Sequence, residues 1–119
     1  MGKRVIVVDD NLDAVMSMIT LLGLEGHQAK GFGNAVGIVE EILEFDADAV
    51  VLDIVMPQKS GWDAAREIRQ KIPGQRPVLI AVSGEYAGDA KKVTAMEGFN
   101  YFLMKPVDPK VLTALLEKS

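Results

Sequence analysis

The run Ala49-Val50-Val51-Leu52 is apolar throughout, rich in β-branched residues, and ends on a carboxylate, Asp53. So short a run without polar alternation reads as a strand covered on both faces, which calls for a parallel sheet with helices on either side. The pattern occurs earlier as well, where Val5-Ile6-Val7-Val8 stops at Asp9-Asp10. In open sheets of this kind the chemistry collects at the carboxyl ends of the strands. Two buried strands therefore deliver acid to the same edge.

At 119 residues the chain is one domain's worth, and we read residues 1–119 as a single domain. With 49% hydrophobic and 25% charged residues the composition is that of an ordinary globular protein. A net charge of −4 and no basic run longer than Lys91-Lys92 argue against nucleic-acid binding. The absence of cysteine excludes disulfides, thiolate metal sites and thiol nucleophiles. No signal-peptide core or membrane span is visible, so we expect a cytoplasmic protein that does not engage membranes.

Along the chain, Asn11 is an N-cap for a helix carrying Leu12, Val15, Met16, Ile19 and Leu22 at helical spacing, ended at Gly23 to Gly26. His27 to Phe32 reads as a more polar edge strand, with His27 as a surface or edge-strand residue rather than a catalytic one. Asn34 is a candidate cap for a second helix through Val36, Val39, Ile42 and Leu43, with Glu40, Glu41 and Glu44 on its wet face. After the Asp53 strand, Ser60 caps a helix packed through Ala65, Ile68 and Ile72, stopped by Pro73-Gly74. Val78 to Val82 is a fourth strand ending at Ser83-Gly84, followed by a short helix over 88–97 closed by Gly98. Asn100 to Met104 is the fifth strand, ending in Lys105-Pro106. Asp108-Pro109 then opens a fifth helix that buries Val111, Leu112, Leu115 and Leu116. Met16, Met18, Met96 and Met104 read as core filler and Trp62 as a packing residue. Five strands alternating with five helices predict a doubly wound α/β fold with a parallel sheet.

Strand ends gather Asp9, Asp10, Asp53, Ser83 and Lys105 along one edge. Three clustered carboxylates repel one another and tend to take up protons or a cation. Hard oxygen donors without imidazole or thiolate favour Mg²⁺, with Mn²⁺ as the substitute. Phosphoryl transfer needs mainly positioning and charge neutralisation, so metal, lysine and hydroxyl can each take one oxygen while Asp53 attacks in line.

The segments VIVVDD, VVLDIVMPQKSGWD, VLIAVSG and YFLMKPV, in that order, resemble the receiver domains of two-component response regulators, including those attached to hybrid histidine kinases. The resemblance covers essentially the whole chain. It implies a flavodoxin-like sheet of order 2-1-3-4-5, with Asp53 phosphorylated by a histidine kinase or a histidine phosphotransfer protein. It implies Asp10 and Asp53 as direct Mg²⁺ ligands, Asp9 as a ligand through water, and the Val55 backbone carbonyl as a further ligand. Lys105 matches the phosphate-binding lysine, Ser83 the hydroxyl that moves onto the phosphoryl group, and Phe102 the aromatic that turns inward behind it. Lys105-Pro106 matches a peptide bond that is cis in the family.

Val55 and Glu85 stand where side chains would tune the lifetime of the aspartyl phosphate, and Phe102 lacks the hydroxyl of a tyrosine. We expect a two-state switch that changes the face of the fourth helix, fifth strand and fifth helix, with homodimerisation through that face left open. Such a domain is a single-turnover acceptor, limited to self-catalysed phosphoryl acceptance and autodephosphorylation, rather than an enzyme. The effector is not specified, and the chain is read either as a stand-alone regulator or as part of a longer protein. An aspartate-nucleophile phosphatase would need Asp-x-Asp after the first strand, which Asp9-Asp10-Asn11 does not supply. A flavin site would need a Ser/Thr/Gly-rich loop there. A calcium loop from Asp9 fails at Ala14 and Thr20. The remaining alternative is a receiver-like docking module that works without phosphorylation.

Overall fold

In the computed structural model the apolar runs pair side by side. β1 (Arg4–Val8), β2 (Gln28–Phe32), β3 (Ala49–Asp53), β4 (Val78–Ser83) and β5 (Tyr101–Met104) form a parallel sheet in the order β2-β1-β3-β4-β5. The helices are α1 (Leu12–Leu24), α2 (Ile38–Phe45), α3 (Gly61–Lys71) and α4 (Pro109–Lys118), the last being the predicted fifth helix. The structure describes residues 2–56, 58–74, 76–84 and 98–118. The helix predicted over 88–97 lies outside them, as do Glu85 and Met96. None of the described helices is long and apolar enough to cross a membrane.

Period-two alternation sends the strand side chains into two layers. Ile6, Val8, Val50, Leu52, Leu79 and Ala81 pack with α2 and α3. Val5, Val7, Ala49, Val51, Ile80 and Val82 pack with Val15 and Leu22 of α1 and Leu112 and Leu116 of α4. Every residue of β3 is buried, as its unbroken apolar run requires. Each fully buried Val, Leu or Ile contributes about 1.5–3 kcal/mol relative to exposure.

The predicted caps form. Asn11 Oδ1 accepts the Ala14 N–H at 3.2 Å, Ser60 Oγ accepts the Asp63 N–H at 3.2 Å, and Asp108 Oδ1 accepts the Lys110 N–H at 2.9 Å. Glycine also decides how closely α1 descends on β2. A Cβ at Gly31 would fall 2.2 Å from Val15 Cγ1 and 2.7 Å from Ile19 Cδ1.

Several expectations need correction. α2 begins at Ile38, because Gly37 caps it in the left-handed region at φ 75°. Asn34 instead closes a local turn, its Oδ1 accepting the Val36 N–H at 2.9 Å, and Val36 is exposed. Ile38, Val39 and Ile42 already fill the buried face of this eight-residue helix, so Leu43 turns outward. On α1, Val15 and Leu22 are buried and Met18 and Ile19 pack beside them, leaving Leu12 and Met16 exposed on the flank. Val111 and Met104 are exposed as well, so Met16 and Met104 are not core filler. α3 ends at Lys71, with Ile72 as its C-cap still packed against the core as expected. His27 stands just before the edge strand β2, as one of the two expected positions, but it is buried rather than at the surface.

Candidate functional site

Register brings the acids together. Val8 pairs with Leu52 across β1 and β3, so the residues that follow, Asp9 and Asp53, stand side by side at the carboxyl edge. Asp53 shares the parity of Ala49 and Val51 and therefore leans to the α1 and α4 side of the sheet. Lys105, just past β5, reaches both acids: its Nζ lies 3.0 Å from Asp9 Oδ2 and 3.1 Å from Asp53 Oδ2. The Lys105–Pro106 bond is cis, as the resemblance implied, and Arg76–Pro77 is cis too.

Backbone amides orient the carboxylates. The Asn11 N–H donates to Asp9 Oδ1 at 2.9 Å and the Val55 N–H to Asp53 Oδ1 at 3.2 Å. Both acids are buried whereas Asp10 is exposed. At Asp53, burial, reinforced by the adjacent Asp9 charge, outweighs Lys105 and the Val55 amide and pushes the carboxyl above its ordinary range. At Asp9 burial acts in the same sense, but the Asn11 amide and Lys105 prevail and hold the carboxyl below its usual value. Burial opposes the Lys105 ammonium, yet the two carboxylates overcome it and raise its pKa.

Asp9, Asp10 and Asp53 each bring one carboxylate oxygen to within 4.8 Å of the other two. Hard oxygen donors grouped in this way fit Mg²⁺ or Mn²⁺.

Ser83, buried at the end of β4, has the parity of Leu79 and Ala81 and so leans to the side of the sheet opposite Asp53. Phe102 is registered with Ala81 and packs into that same layer, half-buried. Val55 is exposed beside Asp53, while Glu85 lies outside the described residues. Sequence reasoning missed Asn11 as the group that orients Asp9. It also missed Gly61, where a Cβ would meet the Asp53 carbonyl oxygen at 2.5 Å. The breaker-rich loop before α3 was the one local hint of that close approach. A cleft of about 530 Å³ opens beside Asp9, Asp53 and Lys105, walled by Met18 and Leu21 of α1 and by Pro106 and Val107.

A 2-1-3-4-5 parallel sheet that gathers carboxylates and a lysine at its carboxyl edge defines a flavodoxin-like domain of the CheY type. Residues 5–117 match the model of the response regulator receiver domain, and the chain belongs to that family, which serves two-component and phosphorelay signalling. It is 31% identical to the chemotaxis protein CheY of Thermotoga maritima, covering 99% of this chain and 98% of that protein. It is 32% identical to histidine protein kinase 1 of Candida albicans over 97% of this chain, which spans only 5% of that kinase. Its fold is similar to the receiver domain of the sensor histidine kinase PA1611 from Pseudomonas aeruginosa, solved with a magnesium ion in its active-site cleft. That match has a TM-score of 0.85 at 24% identity and covers 99% of this chain and 97% of that one.

Proposed function

We propose that this receiver domain accepts a phosphoryl group on Asp53 from a phosphohistidine of a histidine kinase or histidine phosphotransfer protein. The observation that carries the reading is the contact of Asp53 Oδ2 with Lys105 Nζ at 3.1 Å, within a cluster of three carboxylates. An Asp53 oxygen attacks phosphorus as the phosphorus–nitrogen bond of the donor breaks, and the departing imidazole takes its proton from solvent. Asp10, Asp53 and the Val55 carbonyl, with Asp9 through water, would hold Mg²⁺, which supplies charge neutralisation for the phosphoryl oxygens. The magnesium in the PA1611 receiver supports that choice of ion.

Lys105 turns from the carboxylates to one phosphoryl oxygen, and Ser83 moves across from its side of the sheet to donate its hydroxyl to another. Phe102, half-buried on the Ser83 side of the sheet, turns further inward. The face made by β5 and α4 changes with it and is read by a partner. The domain is a single-turnover acceptor that also catalyses its own dephosphorylation, with Val55 and Glu85 setting the lifetime.

Intact mass after incubation with acetyl phosphate and Mg²⁺ tests this reading, with Asp53→Asn and a chelated sample as controls. One phosphoryl adduct that requires both Mg²⁺ and Asp53 is expected. No adduct, repeated with a histidine-phosphorylated donor, would leave a docking module that works without phosphorylation.

A further inference from the structure

His27, the sole histidine, lies at the end of the sheet opposite Asp53, just before Gln28 pairs with Arg4. Its Nδ1 accepts the Lys3 N–H at 2.9 Å, which places the proton of the neutral ring on Nε2. Nε2 is buried and has no hydrogen-bond partner among the described residues. The His27 N–H donates to the Leu22 carbonyl at 3.0 Å, and the Gln28 N–H to the Lys3 carbonyl at 2.9 Å. Gly2 lies so close under the turn preceding His27 that a Cβ there would fall 1.9 Å from the Gly26 oxygen. The imidazole thus joins the end of α1, the start of β2 and the lead into β1. A cavity of about 570 Å³ adjoins it, and among the described residues the charged groups lining that cavity are Lys3 from the lead, Glu25 from the end of α1 and Glu117 from α4.

We propose that His27 is an acid-sensitive pin for the N-terminal end of β1. The neutral ring holds the Lys3 amide. One proton taken from solvent places a hydrogen on Nδ1, which then faces the Lys3 N–H donor to donor, and it charges a buried ring whose Nε2–H has no acceptor. Rotation into the cavity relieves both conflicts, because Glu25 and Glu117 offer carboxylates to the imidazolium. The Lys3 amide loses its partner and the 2–3 lead is released from beneath Gly26. The opening is local, since the carboxyl edge with Asp53 is at the far end of every strand.

Nuclear magnetic resonance on the whole chain reads the His27 titration and the exchange of individual amides in the same samples. Protection of the Lys3 amide is expected to fall roughly tenfold, the loss of one partly buried hydrogen bond, in step with imidazole protonation. Amides of β3 are expected to keep theirs. His27→Gln retains a non-titrating acceptor for the Lys3 N–H and should make that protection independent of pH. In a Glu25→Gln, Glu117→Gln protein the rotated imidazolium loses its acceptors, and the acid-induced loss of Lys3 protection should shrink. Lys3 protection that ignores the imidazole titration, persists as a pH-dependent loss in His27→Gln, or falls just as far in the double variant overturns the proposal.

Discussion

Gly61 lies directly against the backbone of Asp53. A Cβ built on Gly61 would fall 2.5 Å from the Asp53 carbonyl oxygen, and the Gly61 N–H donates to the Ile54 carbonyl at 2.9 Å. The first turn of α3 and the main chain that carries the proposed phosphoacceptor are therefore one packed unit. Gly61→Ala must separate them, so we expect a loss of about 1–3 kcal/mol in urea unfolding, typical of overpacking, together with slower Mg²⁺-dependent phosphoryl uptake. An unchanged urea midpoint would show that the helix yields without strain.

Asp53 supplies a test by pH. Its carboxyl is raised above the ordinary 3.8, chiefly by burial, so the folded state holds that proton more tightly than the unfolded chain. The resulting penalty on stability is absent below about 3.8, grows as pH rises, and is complete above the folded value. Asp53→Asn should therefore raise the Tm of the metal-free protein at pH 7, with the gain shrinking on acidification. Calorimetry at both pH values checks this, and a lower Tm for the variant at pH 7 would contradict it.

Lys105 bridges Asp9 and Asp53, one positive charge shared between two carboxylates. In Lys105→Met the two carboxylates face each other without a cation, so the metal-free protein should lose about 1–2 kcal/mol, a figure moderated by the partial exposure of the lysine. The same change leaves the acidic cluster more negative and should tighten Mg²⁺ binding. Titration followed by the fluorescence of Trp62, which meets Phe99 edge to face at 5.8 Å, measures the affinity. Weaker Mg²⁺ binding would indicate that Lys105 organises the site more than it competes with the ion.

Metal binding should itself stabilise the fold. At a Mg²⁺ concentration one hundred times Kd the gain is about 2.7 kcal/mol, and a chelator should remove it. Asp10→Ala deletes one of the three converging carboxylates and should abolish most of the shift while leaving the metal-free Tm nearly unchanged, because Asp10 is exposed. A full Mg²⁺ shift in Asp10→Ala would place the ion elsewhere.

Much of the site is legible in the sequence. Asp9, Asp10, Asp53, Ser83 and Lys105 each close an apolar run, and a run that must be buried announces where its last polar residue emerges. Amphipathic patterns are less informative at their margins. Leu12, Met16, Val36 and Leu43 all fit a helical period, but a helix buries only as wide a stripe as its neighbours cover, and Gly37 sets the start of α2 beyond Val36. His27 departs from its expected exposure because polarity suggests a surface position, whereas one backbone amide, that of Lys3, is enough to hold its ring inside.

What the chain determined by itself was local: the period of each segment, the caps at Asn11, Ser60 and Asp108, and the order in which acids, hydroxyl and lysine reach strand ends. Only the tertiary structure decided what depends on residues far apart in sequence. Register set Asp9 beside Asp53, and the sheet order brought Lys105 across to both. Packing likewise placed Arg69 of α3 where its guanidinium donates to the carbonyls of Gly98 and Pro77 and to Asn100 Oδ1, at 3.0, 2.9 and 2.8 Å. The physical reason is the range of the forces. Backbone geometry and solvent preference act within a few residues and are written in sequence, whereas close packing and charge pairing act between surfaces that exist only once the sheet has formed.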